Sequence, residues 1–140
     1  VPLTDEIDIK MPYKSAVEAI IESVAPLGST YQNALKKGLQ EDGWVDRYEN
    51  RHKRSGAYSS GCFDSMPYIL MNYKADVLDS MFTLAHEAGH SMHSYYSGKH
   101  QPYQYSHYTI FVAEVASTFN EQLLGKYLIA RAKTKAERAE

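Results

Sequence analysis

A chain of 140 residues with 44% apolar content has the size and composition of one folded unit, which excludes a disordered chain. Its formal net charge of -2 offers no electrostatic platform for nucleic acid or an anionic membrane surface. No apolar run nears the roughly 20 residues that span a bilayer, and the single cysteine, Cys62, precludes an internal disulfide, so we expect a reducing compartment.

In chain order, the first expected element is a helix. Ala16, Val17, Ala19, Ile20, Ile21 and Val24 recur at helical spacing between Ser15 and Val24, and Pro26 and Gly28 break the run. Ser29 or Thr30 offers an N-cap for a second helix reaching about Asp42, with Gly43 as its stop. Between Trp44 and Tyr73 the composition turns to glycine, serine, proline and tyrosine, which predicts a small sheet of two or three short strands. The helical period returns from about Asp76 to Tyr96, closed by Gly98 and Pro102. A last helix over about Tyr108 to Ala132 carries Phe111, Val112, Val115, Phe119, Leu123, Leu124, Tyr127 and Leu128. The expected fold class is mainly α with a small β-sheet, without internal repeats.

The chemistry concentrates in His86-Glu87-Ala88-Gly89-His90, an H-E-x-x-H pattern. Positions four apart on a helix sit one turn above each other, so His86 and His90 can hold one metal ion from the same face. Glu87 lies about 100° round the helix from His86, where it can take a proton from the attacking water without ligating the metal. Val77, Met81, Leu84 and Ala88 fall on the opposite side as an apolar stripe for the core. Gly89 costs about 1 kcal/mol against alanine in mid-helix, which signals a close backbone approach. An accidental match would arise in roughly one chain of this size in a few hundred, before the amphipathic register is also required.

A catalytic zinc takes three protein ligands and leaves a fourth position open. Glu114 is the candidate third ligand, because a lone carboxylate set among Phe111, Val112, Ala113, Val115 and Ala116 is costly to bury and metal ligation would keep it charged. The alternative is a glutamate on the polar side of an amphipathic helix. The longer H-E-x-x-H-x-x-G-x-x-H pattern is excluded, since His93 and Tyr96 stand where glycine and histidine would be needed. His93 lies about 10 Å along the axis from His86, too far to share its metal easily, and a role toward substrate or as an ordinary polar residue stays open.

The stretch from Phe82 to His93, PYILMNY from Pro67 to Tyr73, and FVAEVAS from Phe111 to Ser117 together resemble the oligoendopeptidase F branch of the thimet oligopeptidase family. The similarity runs from about Asp46 to Leu124. It implies a zincin-type active-site helix and a second long helix with the third ligand: one Zn2+ per chain on His86, His90 and Glu114, with Glu87 as general base. It implies a cytoplasmic zinc endopeptidase acting on short peptides in a helix-walled channel. It also implies oxyanion-stabilising groups beyond residue 140, because Tyr103, Tyr105 and Tyr108 do not match their positions. Since Val1 is not an initiator Met and Glu140 stands in a helix-favouring stretch, we expect residues 1–140 to be one piece, the central part of a larger catalytic domain whose remainder is a partner.

Other features have plainer readings. The basic run from Arg47 to Arg54 is interleaved with acids and reads as a solvated loop. Cys62 reads as a small structural residue. A strand edge between Gly61 and Asn72 could pair with an extended peptide, or those residues could only shape a turn. Two functional alternatives remain beside the peptidase: a zinc-binding but catalytically silent or peptide-binding module, which a fourth protein ligand such as His93 would favour, and a metal-free helical interaction domain.

Overall fold

The computed structural model describes residues 10–134. Helix α1 (Tyr13–Ser23) starts behind Pro12 and buries Ala16, Val17, Ile20 and Ile21 along one face. A single 3-10 turn, Ala25–Leu27, holds Pro26 near its start, where a missing N–H costs nothing. Gly28, at φ 92, redirects the chain and is itself the N-cap of α2 (Ser29–Gln40). Neither Ser29 nor Thr30 caps through its side chain, because both already lie inside the helix.

Gly43, at φ 66, turns the chain after α2 and sends Trp44 back over the helix. The indole covers Gly38 so closely that a Cβ there would lie 2.3 Å from the ring. Trp44 is 1% exposed, and its carbonyl accepts from Ile69 at 2.7 Å, tying the helical layer to the sheet. The sheet has three short strands, β1 (Val45–Asp46), β2 (Tyr58–Ser60) and β3 (Tyr68–Leu70), in the order β1-β3-β2. β3 is central, parallel to β1 and antiparallel to β2. The expected edge between Gly61 and Asn72 therefore does not exist: its only strand, β3, is paired on both sides, and the edge near the helices is β2. Lys53 donates to the carbonyls of Asp46 and Tyr48, and Arg47 stacks on Tyr13 at 4.1 Å, so only part of the basic run is solvated. Cys62 is exposed rather than packed.

Helix α3 (Leu78–His100) buries Met81, Leu84, Ala85, Ala88 and Met92. Val77, expected on that stripe, is instead the N-cap and is exposed. The helix runs through Gly98 and stops before Pro102, since Gly98 is needed for contact and not for termination: a Cβ there would lie 2.9 Å from the Phe63 carbonyl. Helix α4 (Ile110–Arg131) presents Ala113, Ser117, Asn120 and Leu124 inward, while Phe111, Val115 and Phe119 point to solvent. No helix among the described residues is long and apolar enough to cross a membrane.

α3 and α4 meet at Gly89, where an added Cβ would lie 2.6 Å from Ser117 Cα and 2.7 Å from the Ala116 carbonyl oxygen. Those are backbone atoms and cannot rotate away. Gly89→Ala should gain up to about 1 kcal/mol of helix propensity yet lose more to overpacking. The expected net is a destabilisation of about 1–3 kcal/mol, read as a lower urea midpoint with an unchanged m-value.

Candidate metal centre

The α3–α4 contact places both sequence-nominated histidines and Glu114 around one point. His86 Nε2 and His90 Nε2 are 3.1 Å apart, Glu114 Oε2 lies 3.4 Å from His86 Nε2, and Glu114 Oε1 lies 3.8 Å from His90 Nε2. Donors about 2.0–2.1 Å from a tetrahedral zinc would be roughly 3.3 Å from each other, so the spacing suits such an ion. Among the described residues this is the one group of three His, Cys, Asp or Glu side chains that could hold a metal. His93 is not part of it; its ring stacks on Tyr108 with centroids 3.7 Å apart.

Glu114 is not the buried carboxylate that its apolar sequence neighbours suggest. Its side chain is 43% exposed, not buried in apolar surroundings, and its neighbours Phe111 and Val115 face solvent. What distinguishes it is position. Ser117, one turn later, donates to its carboxylate at 3.0 Å and also to its carbonyl, which holds the side chain near α3.

Glu87 is the buried carboxylate of the group, at 7% exposure. It borders an open cleft of about 280 Å³ with His86, Phe82, Thr83, Asp79, Glu121 and Ala57. β2 lies alongside: Ser59 Oγ is 2.8 Å from Ser91 Oγ, and the Ser59 backbone N–H bonds the Glu87 carboxylate. Burial pushes the Glu87 carboxyl above its ordinary range, with the Glu114 charge adding to the shift and His86 and Ser59 opposing it. His90 is pushed down, first by burial and then by His86, which keeps its imidazole neutral and a lone pair free for a cation.

One residue of the site escaped sequence reading. Glu121 accepts a hydrogen bond from His86 Nδ1, on the ring edge away from the other donors. The signal that could have found it is its position seven residues after Glu114, two turns along the same helix face.

The Glu87 shift has a stability consequence with a definite sign. Its carboxyl binds a proton more tightly folded than unfolded, so its contribution is fully present below the ordinary value of 4.5 and lost as pH rises through the raised folded value. In metal-free protein, Glu87→Gln should therefore resist urea better than wild type at neutral pH. The two midpoints should converge in acid, below about pH 4.

The sequence matches the profile of Peptidase family M3 over residues 4–140. It is 56% identical to oligopeptidase PepF of Bacillus subtilis (strain 168), across 91% of this chain and 19% of that protein. It is 52% identical to an oligoendopeptidase F homolog of Borreliella burgdorferi, across 92% of this chain and 22% of that protein. The chain thus spans about a fifth of the length of these curated relatives. Among solved structures, a crystallised protein from Chlamydophila abortus superposes over 99% of this chain and 23% of its own, with a TM-score of 0.91 and 51% identity. PZ peptidase A, at 22% identity, shares the fold over 99% of this chain and 23% of its own with a TM-score of 0.73.

Proposed function

The chain belongs to peptidase family M3, and we propose that it forms the metal-holding and proton-handling part of a zinc-dependent endopeptidase that hydrolyses short peptides. The observation that carries this reading is the convergence of His86, His90 and Glu114 from two helices, with Glu87 beside them on an open cleft. Two imidazoles and one carboxylate suit zinc among the available divalent ions. Among the described residues three protein donors converge rather than four, which leaves room for water or substrate and supports catalysis over a closed structural site.

A zinc ion held there would supply Lewis acidity toward the scissile carbonyl and the attacking water. His86, His90 and Glu114 would fix its position. Glu87 would take the proton of the attacking water and return it to the nitrogen of the leaving amine, so no covalent acyl-enzyme is needed. A raised carboxyl affinity for protons suits both halves of that transfer. β2 would receive the peptide as an added strand, since it is the edge strand that lies beside Glu87.

The greater length of the relatives supports a larger catalytic domain around these residues; a central position in it, with oxyanion-stabilising groups outside, is what the family resemblance implies. The cytoplasmic setting belongs to the same reading as an implication of the family resemblance, and the lone thiol of Cys62 agrees with a reducing compartment.

In the full-length protein, Glu87→Gln should keep about one zinc per chain and lower kcat on a short fluorogenic peptide by 10²–10⁴-fold, roughly the usual contribution of a general base. Glu114→Ala should instead lose the metal, seen by elemental analysis. Near-wild-type hydrolysis by Glu87→Gln would refute the base assignment.

A further inference from the structure

We propose that Glu121 is the positioning residue that fixes the tautomer of His86, and that it thereby sets the metal affinity of the site. This rests on the reading of His86, His90 and Glu114 as metal ligands.

A neutral imidazole carries one N–H and one lone pair, and only the lone pair can bind a metal. His86 turns Nε2 toward His90 Nε2 and Glu114, so Nε2 is the nitrogen that must be bare. Its other nitrogen, Nδ1, meets the Glu121 carboxylate. An ionised carboxylate only accepts, so the proton of this contact belongs to Nδ1, and the tautomer follows. A solvated histidine would divide its population between two tautomers and several ring orientations. Glu121 removes that freedom before any ion arrives.

The backbone explains why this residue can do so. α3 and α4 run antiparallel, with Gly89 against Ala116 and Ser117. Moving up α4 from Glu114 by seven residues, about 10 Å, passes back along α3 from His90 to His86. One face of α4 thus supplies a metal donor at Glu114 and the outer partner of a second donor at Glu121. Glu121 is not a fourth ligand, since it lies on the Nδ1 side and outside the group of converging donors. Nor is it a freely solvated surface acid: its side chain is 33% exposed and borders the cleft with Glu87.

The test uses the full-length protein and zinc alone. Zinc affinity is measured by competition with a chromophoric chelator for wild type, Glu121→Ala, Glu121→Gln and Glu114→Ala. The His86 ring nitrogens are observed by long-range 1H–15N NMR. Glu121→Ala should bind zinc 10–100-fold more weakly, with unchanged far-ultraviolet circular dichroism. In its metal-free form the His86 signals should shift from the Nδ1–H tautomer to a mixture. Glu121→Gln keeps an acceptor oxygen and should recover most of the affinity, which a merely structural role would not predict. Wild-type affinity and an unchanged tautomer in Glu121→Ala would overturn the proposal while zinc loss in Glu114→Ala left the ligand set standing. Wild type without stoichiometric zinc would overturn both.

Discussion

The separation of two helices is the constraint on which everything else depends. At Gly89 the backbone of α3 comes so near Ala116 and Ser117 of α4 that no side chain fits between them. α3 carries His86, Glu87 and His90, while α4 carries Glu114 and Glu121. Metal–ligand bonds tolerate about 0.2 Å of error, far less than the thickness of a methyl group. A donor set divided between two helices is therefore only as exact as the contact that joins them. Ala113 and Ser117 serve the same end, since small inward residues let α4 lie flat against α3.

Charge gives the arrangement its second logic. Two imidazoles stand among three carboxylates, and burial holds His90 neutral while it drives Glu87 toward its protonated form. Such a group is short of positive charge, and a divalent cation would relieve it. The division of labour among the acids follows from exposure. Glu114 and Glu121 are partly open and engage His86 directly, whereas Glu87 is shut away against β2 with the Ser59 N–H as its partner.

What could be read in advance was whatever a single element encodes. The spacing of His86 and His90 belongs to one helix, so their shared face was legible from five letters of sequence. Glu114 was indicated both by a burial argument that the structure does not support and by the family resemblance; its geometry, not its desolvation, singles it out. Glu121 shares a helix face with Glu114 in the sequence, but its meaning depends on which residue of α4 lies opposite which residue of α3. The demand for close approach at Gly89 was legible, but its partner was not. Gly98 misled for a related reason: a glycine that admits the Phe63 carbonyl looks, in sequence, like one that ends a helix. The sheet was foreseen as a small one, yet its edge was misplaced, because strand order is a long-range property that a run of tyrosines and glycines does not carry.

Trp44 has a further consequence. It is the sole tryptophan of the chain, buried with its indole over Gly38 of α2 and with Tyr95 of α3 6.0 Å away. It is absent from the group of converging donors and from the cleft beside Glu87. Its emission is thus an optical gauge of the packing around α2, separate from the state of the converging donors. Fluorescence and metal content should then act as two independent dials, one for assembly of the scaffold and one for occupancy of the site it carries.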